Sequence, residues 1–227
     1  LLVRREGTGI VGFRLSERRA TEKTLSKGSL RPELANLLCR AAALRPTDRF
    51  VDPFCGSGAI VAERVRMFPF GEAYGFDVDP SNVTAARRNV ASAARDSGLG
   101  RSAPGRSESV QSASITIEVG DARRLTQLRE SAVDVIVTDP PWGRYESDRI
   151  NGPGPDVESL YREFLAESTR VLDGGWLVTL VDREGPMEGL LEHWAELRLD
   201  RRYEVLVQGR KATVLLARRR GREEKRV

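Results

Sequence analysis

At 227 residues, with 37 Lys and Arg against 33 Asp and Glu, the chain is long enough for one sizeable core, and one domain is the expectation. No apolar run reaches the roughly eighteen residues of a membrane helix, and the charged segment after Leu1 and Leu2 is not a secretory leader. Two cysteines in unrelated contexts, Cys39 and Cys55, and the single His193 exclude a disulfide scaffold and a His-rich metal centre and point to a reducing cytoplasm.

In chain order, residues 1–29 read as a hairpin-like lead-in, with a strand pattern over Ile10–Leu15 followed by a basic segment. A helical pattern opens at Ser29, with Pro32 in its first turn and Leu34, Leu37, Leu38 and Ala41 on one face. Phe50–Asp52 is the first strand of the main domain and Ser57–Met67 its helix. Ala73–Asp77 is a second strand, and Asp79 opens a helix reaching about Arg95. The Ser/Gly/Arg-rich stretch 97–114 reads as a flexible surface insertion. Ser114–Val119 and the mostly apolar Val133–Thr138 are further strands, with a helix over 122–130 between them. Asp156–Leu172 is an amphipathic helix, Gly174–Val181 a strand, and Met187–Leu197 a helix. Tyr203–Val207 and Ala212–Ala217 form a terminal hairpin about Gln208-Gly209-Arg210, and 218–227 reads as a basic tail. Strands alternating with helices and ending in a hairpin predict an α/β fold. It is a Rossmann-like, mostly parallel seven-stranded sheet over residues 30–217, with a C-terminal antiparallel hairpin and helices on both faces.

Charge is unevenly spread: residues 198–227 carry +7 and residues 1–31 carry +5, leaving about −8 between them. Basic flanks around an acidic centre suit a polyanion; a solvated surface with a frayed tail is the competing reading.

Four predicted strand ends carry polar groups at one edge of the sheet. The first, Asp52-Pro53-Phe54-Cys55-Gly56-Ser57-Gly58, is the strand–turn–helix start by which α/β folds bind adenosine-containing ligands. A dinucleotide fingerprint needs a third glycine, which is absent here, and Asp52 would repel a pyrophosphate while suiting the ammonium of a methionine moiety. The pattern therefore favours S-adenosylmethionine over NAD. After the second strand, Asp77 is the preferred acceptor for ribose hydroxyls, with Asp79 an adjacent candidate; the alternative is that the two acids simply cap the following helix. Asp121 is placed to accept from an adenine amino group; the competing reading is the N-cap of the following helix, and the two roles are not exclusive. Asp139-Pro140-Pro141-Trp142 is the most informative tetrapeptide. A base's exocyclic amine is a weak nucleophile because its lone pair is delocalised; a carboxylate and a backbone carbonyl accepting from that NH₂ shift it toward a nucleophilic form. Two prolines hold the acceptors in place, and Trp142 offers a face for stacking.

These residues, with Thr138, Gly143 and Arg144, resemble the THUMP-associated tRNA guanine-N2 methyltransferases, whose second motif reads T-D-P-P-Y-G-R, with Tyr where this chain has Trp142. The likeness extends upstream to Gly12-Phe13-Arg14-Leu15-Ser16 and Gly28-Ser29-Leu30-Arg31-Pro32. It implies a class I methyltransferase in which Asp52, Gly56 and Gly58 hold S-adenosylmethionine, with Pro53 and Phe54 in the same turn. Asp77 with Val78, and Asp121 with Ala122, hold its ribose and adenine, and Asp139 to Trp142 hold the target guanine. Arg144 and Arg149 are candidate phosphate contacts. The family carries an N-terminal RNA-binding THUMP domain, and this chain has almost nothing there, so an RNA-binding domain or partner subunit outside the chain is expected. Competing readings are an N6-adenine methyltransferase, a non-catalytic cofactor-binding subunit, and a methyltransferase of small-molecule amines. No metal is expected. Cys55 reads as packing, His193 as an ordinary helix residue, and Trp176 and Trp194 as core.

Overall fold

The computed structural model describes residues 2–5, 8–11, 30–67, 69–97, 113–143 and 156–220. In chain order the elements are β1 (Leu2–Arg5), β2 (Thr8–Val11), α1 (Pro32–Ala41), β3 (Arg49–Asp52), α2 (Ala59–Arg66), β4 (Glu72–Asp77), α3 (Pro80–Asp96), β5 (Ser114–Val119), β6 (Val133–Thr138), α4 (Val157–Val171), β7 (Leu172–Asp182), α5 (Met187–Glu192), β8 (Leu197–Val207) and β9 (Arg210–Arg219). β1 and β2 form a separate antiparallel ribbon, so the expected lead-in strand falls at Thr8–Val11. Residues 12–29, most of the 97–114 insertion, Arg144, Arg149 and the tail after Arg220 lie outside the described residues.

The other seven strands make one sheet in the order β5-β4-β3-β6-β7-β9-β8. β3 to β7 run parallel, and β9 lies antiparallel between β7 and β8. This is the architecture expected from the sequence. Its central strands alternate in the period of two that a doubly covered sheet requires. Phe50, Val135, Val137, Val178 and Leu180 face α1, α2 and α3, whereas Val51, Ile136, Leu177 and Val181 face α4 and α5. Strand order reverses between β3 and β6, and such a switch point opens a crevice beyond the carboxyl ends of the strands. Asp52, Asp77 and Thr138 end β3, β4 and β6 on that edge, with Asp121 just beyond β5.

Three boundaries differ from the sequence reading. The expected helix 122–130 does not form: the segment turns at Asp121–Arg124 and runs irregularly to β6. Side chains of α4 take over its backbone partners. Glu167 accepts from the Leu125 N–H at 2.6 Å, and Arg170 donates to the carbonyls of Leu125 and Leu128, both at 3.1 Å. The helix expected over Met187–Leu197 stops at Glu192, because Trp194 is pinned to Thr169 Oγ1 at 3.1 Å and Leu197 is drawn into the core as the first residue of β8. The hairpin is longer than expected and turns on two residues, Gln208 and Gly209, both at positive φ. That is the geometry which matches the twist of its strands. β9 consequently runs through Arg219, two residues into the segment read as a tail.

Glu167→Ala removes a buried acceptor of a backbone N–H and the partner of Arg170. Urea denaturation is expected to show a loss of about 2 kcal/mol; an unchanged unfolding midpoint would contradict this role for α4.

Candidate active site

The turn after β3 is built from its acid. Asp52 is 1 % exposed and accepts from Thr138 Oγ1 at 2.7 Å and from the Phe54 N–H at 3.3 Å. The first bond ties the end of β3 to the end of β6 across the switch point. Burial, with the neighbouring charges of Asp139 and Asp77, outweighs these two donors and raises the Asp52 carboxyl to about 8. Phe54 packs edge-to-face on Phe164 of α4, with ring centroids 5.2 Å apart. Pro53 is buried, and Cys55 is buried with its thiol pushed far up by that burial, as a packing residue should be. Cys39 is raised to about 12 for the same reason.

The two glycines of the turn have different work. A side chain at Gly56 would meet nothing within 4 Å, so the space beside its backbone is open. Gly58 is the N-cap of α2 at φ 84°, and a Cβ would sit 3.0 Å from Ala86 of α3. It serves helix packing in addition to the turn.

Asp77 organises the second loop. One carboxylate oxygen accepts from the Gly56 N–H at 2.9 Å, and the other from the Asp79 N–H at 2.9 Å and Asn82 Nδ2 at 3.1 Å. Asp79 caps α3, accepting from the Ser81 N–H at 2.8 Å. The two acids thus divide, Asp77 facing the first turn and Asp79 capping α3. Val78 beside it is 38 % exposed, an apolar surface at the lip of the crevice. Asp121 stands at the next strand end, but both its oxygens accept from Arg123, the closest pair at 2.6 Å, which holds its carboxyl below the usual range. It also accepts from the Arg123 N–H at 2.9 Å, an Asx turn where a helix cap was expected. Ala122 is buried behind it.

After β6 the chain enters Asp139–Gly143, a segment without regular structure. Trp142 Nε1 donates to Asp139 Oδ1 at 3.0 Å, so the carboxylate and the aromatic face are tied together. Tyr161 of α4, 1 % exposed, donates its hydroxyl to the Pro141 carbonyl at 2.7 Å. Pro140 is buried, and Gly143, at φ 72°, lies so close to Val157 that a Cβ would collide with it.

The structure therefore brings together Asp52, Pro53, Phe54, Gly56, Asp77 and Asp139 to Trp142 around the switch point, with Val78 and Asp121 on the flanking strand ends. Sequence reasoning did not single out Tyr161, Phe164 or Arg123. Val157, Tyr161 and Phe164 follow the i, i+4, i+7 spacing of one helix face, which reads equally well as plain core. His193 is exposed, its Nδ1 at 2.9 Å from the Gly189 carbonyl, and Trp176 and Trp194 pack partly buried against the core.

In the comparisons, residues 19–100 and 101–212 match the family described as RMKL-like, methyltransferase domain. The chain is 31 % identical over 175 residues to a tRNA (guanine(10)-N2)-dimethyltransferase of Methanothermobacter thermautotrophicus, covering 75 % of this chain and 44 % of that protein. It is 33 % identical over 175 residues to a tRNA (guanine(6)-N2)-methyltransferase of Thermus thermophilus, covering 75 % and 45 %. The chain thus spans less than half the length of these curated relatives. Among solved structures, TrmN from Thermus thermophilus superposes with a TM-score of 0.67 at 27 % identity, over 93 % of this chain and 57 % of that one.

Asp52 gives a pH signature. Folding keeps on it a proton that the unfolded chain releases above its ordinary value of 3.8, so stability falls as pH rises from there to about 8 and is level beyond. Asp52→Asn keeps the acceptor oxygen but removes the ionisation. Its melting temperature relative to the native protein is expected to climb between pH 5 and 8, roughly the window between the two values. Parallel curves across that range would show that Asp52 is not a buried titrating group.

Proposed function

Since the chain belongs to the RMKL-like methyltransferase domain family, we propose that it transfers a methyl group from S-adenosylmethionine to the exocyclic amine of a nucleobase, guanine N2 of a tRNA. The observation that carries this reading is the placement of Asp139–Trp142 immediately across the switch point from the Asp52 turn, joined by the Thr138–Asp52 hydrogen bond at 2.7 Å. An acceptor loop for an amine and a turn for an adenosyl ligand then share one crevice.

The residues fit the cofactor. The backbone at Gly56 is open, Asp77 stands at the strand end beside it, and Val78 offers an apolar surface. Asp52 lies buried under the turn that it organises, and Ala122 and Asp121 flank the adenine position, where Arg123 must yield one oxygen if Asp121 is to accept from an amino group. When bound, S-adenosylmethionine supplies an electrophilic methyl on a sulfonium. Trp142 stacks on the target base, and the Asp139 carboxylate with a carbonyl of the Pro-Pro segment accepts the amine's N–H groups, which makes its lone pair available. Asp139 is also placed to take the proton that the nitrogen sheds. A carboxylate accepts at about four lone-pair positions, so the bond from Trp142 leaves capacity for the amine.

Guanine N2 is favoured over adenine N6 by the names of the two curated relatives, both tRNA guanine-N2 enzymes. Those relatives are longer than this chain, and an RNA-binding domain or partner subunit beyond residues 1–227 fits as the part that captures the tRNA, in the cytoplasm.

The test is methyl transfer from labelled S-adenosylmethionine to bulk tRNA by the full-length protein, with nucleoside analysis of the product. Label in N2-methylguanosine is expected, and Asp139→Ala should lose about 10²–10³-fold in rate with cofactor binding retained. Label in N6-methyladenosine would keep the chemistry and overturn the base assignment. Cofactor binding without any transfer to RNA would overturn the substrate.

A further inference from the structure

The acceptor loop has no regular secondary structure, and Pro140 and Pro141 have no N–H to anchor it. Its torsions are nevertheless few. Each proline fixes its own φ near −65°, and each residue before a proline is driven to extended ψ, so Asp139 and Pro140 are both confined. A chain so confined approaches the polyproline geometry of three residues per turn, in which successive carbonyls point about 120° apart. Fixing one carbonyl direction therefore sets the others. The carbonyl fixed from outside the loop is that of Pro141, which accepts from the Tyr161 hydroxyl at 2.7 Å.

Tyr161 is well placed to do this. It is 1 % exposed, on the face of α4 that also carries Phe164 against Phe54 and Val157 against Gly143. A buried hydroxyl holds a bond of this kind, because exchange for water is closed to it. We propose that Tyr161 is a positioning residue of the transfer reaction: by holding the Pro141 carbonyl toward α4, it turns the preceding carbonyl of the Pro-Pro segment outward, to meet the target amine. Tyr161 touches neither cofactor nor base and acts through the loop. The proposal rests on the reading of Asp139–Trp142 as the amine acceptor and goes beyond it, since it names the device that orients the carbonyl half of that acceptor.

Single-turnover methyl transfer by the full-length protein, with saturating S-adenosylmethionine and tRNA, tests it in Tyr161→Phe. The ring and its packing stay and the hydroxyl is lost. The expected result is a rate lowered between about ten-fold and a hundred-fold, with the affinity and stoichiometry of S-adenosylmethionine unchanged by calorimetry. Trp194→Phe is the control: it deletes a side-chain bond to α4, that to Thr169, at 3.1 Å and away from the loop. It should retain the native rate.

A native rate in Tyr161→Phe overturns the proposal. So does an equal loss in Trp194→Phe, or a loss matched by fewer cofactor sites, since either marks a general role in stability. If the native protein methylates adenine, the same comparison stands for that amine and only the base assignment fails. If it transfers to no base, the acceptor reading fails and this proposal falls with it.

Discussion

Loops at the carboxyl edge of a parallel sheet have few backbone partners of their own, and in this protein one helix supplies what three of them lack. From α4, Val157 and Tyr161 meet Gly143 and Pro141, Phe164 meets Phe54, and Glu167 with Arg170 holds the backbone at Leu125 and Leu128. Acceptor loop, cofactor turn and the chain after β5 are thereby referred to a single rigid element. The helix can do this because its buried residues recur at helical spacing, while its sheet-facing side packs on Val51, Ile136 and Leu177. Rigidity of this kind is what methyl transfer needs, since the protein's contribution is chiefly placement of two reactants in line.

The electrostatics of the crevice follow from the same convergence. Parallel strands ending together bury Asp52, which raises its carboxyl, and bring Asp139 and Asp77 close enough to add to that rise. The fold compensates the acids unequally. Asp77 takes three donors, Asp121 is closed by Arg123, Asp139 takes the Trp142 indole, and Asp52 stays buried with two donors. A ligand bearing positive charge relieves that accumulation, whereas a pyrophosphate aggravates it. The charge of the edge thus supports the proposed cofactor alongside the glycine pattern.

Much of this was legible in the amino-acid order. Strand ends marked by Asp52, Asp77 and Thr138-Asp139 were readable because short apolar runs stop abruptly at carboxylates and turn residues. The reversal of strand order that puts β3 beside β6 is a property of the class implied by that alternation. What escaped notice depends on contacts distant in sequence. The stretch 122–130 has helical composition, yet its backbone is held by Glu167 and Arg170, Glu167 standing 42 residues beyond Leu125. Tyr161 was not singled out because an aromatic on a helix face carries no mark of what its hydroxyl meets, and the Asp121–Arg123 pair lies between two charges that the sequence alone does not join. Gly58 was legible as a turn glycine, but its close approach to Ala86 required the packing of α2 on α3.

The central claim is that the strand-end acids and the Gly56 turn form a site for S-adenosylmethionine. Titration calorimetry of S-adenosylmethionine into the native protein and into Asp77→Asn tests it most directly. The account predicts one site per chain, weakened at least about ten-fold in the variant, the scale of losing a charge-assisted pair of hydrogen bonds. No binding to the native protein, or equal affinity in the two, would contradict it.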